Sequence, residues 1–240
     1  MDLYVRVLTR NEELHRVPFL EQSIWGNPDP IPDSLLRVIV DHGGAVWVAS
    51  PADRSETWLG FAVGLPGRDD LGWYLHSHLA GVLASQRRQG VGGALKLHQR
   101  QWARDNGYSR IRWTFDPLRA SNAHFNLERL GARVVEYRVG YYGTLKSALN
   151  HALPTDRLVV EWATDPARGE PSSGDDGDPP VFIPIPADLD GVLARDPAEA
   201  LSWLRSVRAQ FTACLGGGYA VSGFDRGVGV SRYVLRRPTR

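Results

Sequence analysis

The spacing of apolar residues divides the first 163 residues into a succession of short elements. Leu3 to Leu8 alternates as a strand, LYVRVL. Thr9 or Asn11 can cap the helix that follows, with Glu12 and Glu13 at its positive end. Leu14, Val17, Leu20 and Ile24 recur there at helical spacing until Trp25-Gly26-Asn27-Pro28 stops them. A second helix is predicted over Pro32 to Asp41, with Leu35, Leu36, Val38 and Ile39 as its apolar face and Gly43-Gly44 at its end. Ala45 to Ala49 and Thr57 to Gly64 read as a hairpin, and Leu65 to Asp70 as a loop. A fourth strand ends at Val82, and a third helix runs from Ala94 to Asp105. Ile111 to Phe115 is a fifth strand, broken by Asp116-Pro117. A short helix capped by Ser121 or Asn122 runs to Leu130. Strands over Arg133 to Tyr142 and Leu158 to Trp162 flank a connecting helix or turn over 144–153. The order β-α-α-β-β-β-α-β-α-β-β predicts an α+β fold, a mixed and largely antiparallel sheet flanked by helices.

Beyond residue 163 the pattern changes. DPARGEPSSGDDGDPP has no apolar face and is rich in Pro, Gly, Ser and Asp, so 164–180 is expected to be a linker or long exposed loop. The chain then resumes with VFIPIP, a strand whose prolines favour a sheet edge. A helix from Asp196 to Cys214 and a hairpin of Tyr219–Phe224 with Ser231–Leu235 complete a β-α-β-β extension over 181–240. A segment this small is expected to pack on the 1–163 domain or on a partner subunit rather than fold alone.

Composition narrows the class. Hydrophobic content of 42% and charged content of 23% are ordinary for a globular chain. The net charge of +1 argues against bulk nucleic-acid binding. Of the 28 basic residues only Lys96 and Lys146 are lysines. The single cysteine, Cys214, excludes an internal disulfide and a cysteine metal cluster. No apolar run approaches the ~18 residues of a membrane span, and no N-terminal signal-like run is present, so a soluble cytoplasmic protein without a metal is expected.

The chemistry concentrates in Trp73 to Ala94, WYLHSHLAGVLASQRRQGVGGA. A strand here runs into a basic, glycine-rich turn at a helix N-terminus. Free backbone N–H groups and the positive end of the helix dipole then point at one spot, which suits a diphosphate. A P-loop is excluded, because no Lys-Ser/Thr follows, and so is a dinucleotide fingerprint, because Leu95 stands where its third glycine belongs. The bland alternative is a turn that only caps a helix. The pattern R/Q-x-x-G-x-G/A, filled by Arg87, Gly90 and Gly92, resembles the acyl-CoA-binding motif of the GNAT N-acyltransferase superfamily. That resemblance implies an acyl-CoA co-substrate, acetyl-CoA or succinyl-CoA. Arg87, Arg88, Gln89, Gly90, Val91, Gly92 and Gly93 would hold its pyrophosphate, and a backbone N–H near Val82 or Leu83 would hold the oxyanion.

Period two places His76, His78, Ala80 and Val82 on one face of the fourth strand. His78 lies where many of these enzymes carry a glutamate base, and the pair with His76 resembles the histidine pair of arylalkylamine acetyltransferases. The alternative for both is a core or rim histidine. The tyrosine that often protonates the thiolate is replaced by Leu127, which leaves Tyr141, Tyr142 or Tyr137 as substitutes, or release of the thiolate to water. Asn122 matches the helix-capping asparagine near the pantetheine arm, or is a plain N-cap; Asn126 is a further CoA candidate. On the substrate side Asp116 can hold an ammonium or make an Asp-Pro turn, and Arg157 can hold a carboxylate or pair with Asp156 or Glu161. HSHLAGV, TFDPLRASNAHFNLERLGA, YYG and LNHALPTDRLVVEW together resemble a branch with acyltransferases acting on amino acids. The expectation is an N-acyltransferase acting on a small amine by direct attack on the thioester, with Cys214 uninvolved and a homodimer as the assembly. Peptide or protein N-acetylation and a silent CoA-binding sensor are the rivals.

Overall fold

The run LYVRV forms β1 (Leu3–Val7), antiparallel to β2 (Ala45–Pro51), which pairs in turn with β3 (Gly60–Asp69) and β3 with β4 (Gly72–Val82). β5 (Arg110–Phe115) lies parallel to β4. The computed structural model describes residues 2–143, 153–165 and 179–238. The connection expected over 144–153 and the linker expected over 164–180 fall, but for their ends, outside the described residues. The contacts divide the chain into two units, Met1–Trp113 with Ala163–Asp165, and Thr114–Trp162 with Pro166–Arg240.

In the first unit the sheet alternates as the sequence predicts. Val46, Val48, Phe61 and Val63 point to one face. They are buried there with residues of α1 (Asn11–Leu14), α2 (Val17–Trp25) and α3 (Asp33–Asp41). Trp47 points to the other face and meets Trp102 of α4 (Val91–Asp105) edge-on, ring centroids 5.2 Å apart. The single helix expected after Asn11 is two, because Pro18 has no N–H to give the Leu14 carbonyl and sits in the first turn of α2 instead. Neither Thr9 nor Asn11 caps it; Arg10 holds the N-cap position without a capping bond from its side chain.

Two further departures lie on β3 and β4. Residues 65–69, read as a loop from Pro66-Gly67, continue β3 and pair from Leu65↔His76 to Asp69↔Gly72. β2 ends its pairing at Ala45↔Gly64, so Pro66 lies on a free edge, where a missing N–H costs no ladder bond. Val63 pairs with Leu79 and Gly64 with Ser77, which leaves His78 as the extra residue of a β-bulge.

In the second unit α5 (Ala120–His124) passes into a π-turn (Phe125–Arg129), and β6 (Arg133–Arg138) pairs antiparallel with β7 (Arg157–Ala163). The C-terminal sheet has the order β8-β10-β9, formed by β8 (Val181–Pro186), β9 (Ala220–Asp225) and β10 (Val230–Arg236). β8, with its prolines, is an edge strand as expected. A short helix not foreseen, α6 (Leu189–Arg195), precedes α7 (Pro197–Gly216). Phe211, Tyr233 and Phe224 stack edge-to-face at 5.0 Å, and Tyr137 of β6 lies flat on Phe211 at 5.3 Å. Tyr233 Oη donates to Pro117 O (2.8 Å), and Glu128 Oε1 accepts from the Phe224 N–H (2.6 Å). The C-terminal segment therefore shares a core with residues 114–138.

Candidate active site

β4 pairs with β5 at Leu75↔Ile111 and His76↔Arg112, and among the described residues no pairing follows beyond them. The strand then leads through a 3₁₀ turn (Ala84–Gln86) into the basic loop and α4. Arg88 has φ +64°, a left-handed conformation that is costly for an arginine, and Gly90, at φ +87°, is the N-cap residue of α4. No side chain caps this helix, so the first-turn amides of Val91, Gly92 and Gly93 remain available to an anion. Arg87, Arg88 and Gln89 are exposed around them. Gln89 Nε2 donates back to Ser85 O (3.1 Å), a bond internal to the loop. The N–H of Leu83 is engaged with Leu59 O (2.9 Å), which leaves Val82 as the residue to consider for the oxyanion.

The bulge at His78 overturns the expected common face. His76, opposite Leu65, lies on the α1–α3 side of the sheet, whereas Ala80, opposite Ala62, lies on the α4 side. The two imidazoles still approach, ring centroids 6.0 Å apart. Desolvation lowers the His76 pKa to about 4, helped by the nearby His78, Lys96 and Arg112 charges. The His78 ring is exposed to solvent, yet the protein around it lowers its pKa too, against a smaller opposing pull from Glu21. Both are therefore neutral bases near pH 7. Glu21 is buried on α2, where Asn27 Nδ2 (3.2 Å) and the Ile31 N–H (3.0 Å) bond its carboxylate.

The remaining candidates belong to the second unit. Asp116 Oδ1 accepts from the Leu118 N–H (2.9 Å), the Asp-Pro turn, and Arg119 Nε stands 3.9 Å from its other oxygen. Desolvation raises the Asp116 pKa, while the Arg157 and Arg119 charges oppose the rise. Asp116 and Arg157 thus lie close enough to interact. Arg157 donates to the Asp156 carbonyl (2.8 Å) and lies over the Tyr142 ring at 5.2 Å. The Asp156 carboxylate is held by Arg208 through Nε (2.8 Å) and Nη2 (2.9 Å). Tyr137 donates to the same carboxylate (2.7 Å), and burial together with that bond raises its pKa, which makes it a poor acid. Tyr141 stacks edge-on with Tyr142 at 4.6 Å. Asn122 is exposed inside α5, whose N-cap is Arg119, so it caps nothing; Asn126 is buried in the π-turn.

One charged residue at the β4–α4 contact was not foreseen. Lys96 is buried on α4 and donates to Ser77 Oγ (2.7 Å) and Gln99 Oε1 (3.3 Å), with Nζ 3.9 Å above the Trp113 ring. Burial lowers its pKa to about 7. Among the described residues no group of three or more His, Cys, Asp or Glu could hold a metal, and no helix is long and apolar enough to cross a membrane.

Residues 10–132 match the sequence profile of the Acetyltransferase (GNAT) family. No curated protein matches the sequence at a significant level. Among solved structures, the chain is similar to the ribosomal-protein-S18-alanine N-acetyltransferase of Escherichia coli, with 15% identity and a TM-score of 0.53 over 73% of this chain and 98% of that one. It is similar to Naa50 of Arabidopsis thaliana, bound to the bisubstrate analogue CoA-Ac-MVNAL, with 16% identity and a TM-score of 0.53 over 68% and 99%. A third likeness is to yncA, a putative acetyltransferase of Salmonella typhimurium with acetyl-CoA, at 14% identity and a TM-score of 0.53 over 70% and 98%.

Proposed function

Since the chain belongs to the acetyltransferase (GNAT) family, we propose that it transfers the acetyl group of acetyl-CoA to the amine of a small molecule, an amino acid being the best fit. The uncapped N-terminus of α4, which follows the strand that carries two neutral histidines, is the observation that supports this most. In this reading the amides of Val91, Gly92 and Gly93 take the pyrophosphate, flanked by Arg87 and Arg88. The pantetheine arm lies along β4 from Ser77 to Val82, with the Val82 N–H toward the thioester oxygen. His78, directly or through water with His76, takes the proton of the attacking amine. The new C–N bond forms as the C–S bond breaks, and the thiolate leaves. Asp116 and Arg157, oppositely charged groups of the second unit, are the sequence's candidates for the ammonium and carboxylate of an amino acid. Succinyl-CoA is the alternative donor.

A peptide amine is the second reading. Similarity to the S18-alanine enzyme and to a bisubstrate-bound Naa50 favours it. Thermal unfolding with acetyl-CoA, succinyl-CoA and free CoA, followed by amino-acid and peptide panels, tests both. A ligand at 100 times its Kd stabilises by about 2.7 kcal/mol, a clear rise in melting temperature. Gly92→Asp should abolish the acetyl-CoA rise without unfolding the protein. No rise with any thioester would refute the binding site, and acetylation of peptides alone would replace the amino acid as substrate.

A further inference from the structure

A lysine buried without a carboxylate is costly, since the ammonium loses its hydration shell. At Lys96 the ammonium's three protons have three neutral receivers: Ser77 Oγ (2.7 Å), Gln99 Oε1 (3.3 Å) and the Trp113 ring face (3.9 Å). The pocket is therefore built for that head group. Its location gives the pocket a role. Lys96 lies on the helix whose N-terminus follows the glycine loop. Ser77 stands between the two histidines, next to the bulged His78. The Lys96–Ser77 hydrogen bond thus joins the loop-bearing helix to the strand that carries the bases.

We propose that Lys96 is a positioning residue of the acetyl-transfer site, fixing the bulged segment of β4 through Ser77 and biasing the charge of His76 from the opposite face of the sheet. The histidines owe their part in this to the acetyltransferase reading, whereas the link and its electrostatic effect do not depend on it. On its own strand His76 faces His78, on β5 it is paired with Arg112, and on β3 it is opposite the apolar Leu65. From α4 comes Lys96, and from α2 Glu21, which acts on His78. Arg112 is bonded to Asp69 (2.7 Å), so its charge is partly balanced, while the receivers of Lys96 are neutral.

Imidazole titration by nitrogen NMR, assigned with His76→Gln, reads this coupling without any turnover. In the wild type the His76 nitrogens should show a second, small step near pH 7 as Lys96 loses its proton. Lys96→Met should raise the His76 titration by about one pH unit, the scale of a single nearby charge in a protein interior, and erase that step. Ser77→Ala keeps the charge but cuts the link. Its His76 titration should stay with the wild type, and kcat, measured well below a melting temperature that the lost acceptor of a buried ammonium lowers, should fall about tenfold. An absent step in the wild type, or a His76 titration unmoved in Lys96→Met, would overturn the electrostatic role. Wild-type kcat in Ser77→Ala would overturn the positioning role. Failure of acetyl transfer in every protein would instead refute the enzymatic reading and leave the NMR result standing.

Discussion

His78 lies at the exposed bulge of β4, so His78→Ala tests catalysis, with urea unfolding as the control for stability. Removing a general base typically costs 10²–10⁴-fold. The variant should lose about 100-fold or more in kcat with KM for acetyl-CoA within a factor of two. The pH profile carries a sign as well. A base must be neutral to act, and desolvation lowers the pKa of both histidines below the ordinary 6.5. The acidic limb of kcat/KM should therefore fall below pH 6.5; a limb above it, or near-normal turnover in His78→Ala, would remove His78 from the mechanism. At this scale the glycine loop and the histidines were legible, because chain-local chemistry marks them. Lys96 was legible only as a rarity. It is one of two lysines, and with Leu95, Gln99 and Ala103 it belongs to the buried side of α4. Its receivers, Ser77 and Trp113, lie 19 and 17 positions away, and no local pattern pairs them.

The elements themselves follow the apolar spacing closely, and the exceptions on β3 and β4 share a cause: each depends on a neighbouring strand. Pro66 and Gly67 signal a turn in isolation, yet they continue β3 because β2 has already ended there. The bulge at His78 shifts register by one residue, which sends Leu79 and Gly81 toward the α1–α3 face instead of Ala80 and Val82. Period two cannot reveal this, since after His78 both phases offer small or apolar residues, Leu79 and Gly81 or Ala80 and Val82. The consequence is measurable at Gly81. A Cβ there would come within 2.8 Å of the Trp25 ring and 3.2 Å of Ile24, so α2 can approach β4 only over a glycine. Gly81→Val should cost about 1–3 kcal/mol in urea unfolding through overpacking. Because Trp25 also meets the Phe61 ring at 5.7 Å, its fluorescence should change in the same variant. Wild-type stability would mean that Gly81 does not face α2.

At the scale of the molecule, each unit has its own means of closing. The first unit closes with aliphatic layers on its sheet, which binary patterning predicts well. The second closes with residues far apart in sequence: Pro117 and Tyr233, Glu128 and Phe224, Asp156 and Arg208. Such pairings leave no periodic trace, which is why the partner of the C-terminal segment could not be read from its sequence. Asp156 is the centre of this arrangement. Its side chain is 0% exposed and takes both arms of Arg208, the Tyr137 hydroxyl and the Gly140 N–H (3.0 Å). Removing one partner of a buried ion pair strands the other charge, at a cost of about 3 kcal/mol or more. Arg208→Ala should therefore destabilise by about that amount, and Arg208→Lys, which keeps the charge but loses the two-armed geometry, by less. Hydrogen exchange would locate the effect. Amides of β6, α7 and β10 should lose protection, while those of α4 and β2 keep theirs. If protection fell equally in α4, Arg208 would be stabilising the whole chain rather than the second unit. If it fell nowhere, the carboxylate of Asp156 would be adequately held by Tyr137 and Gly140 alone.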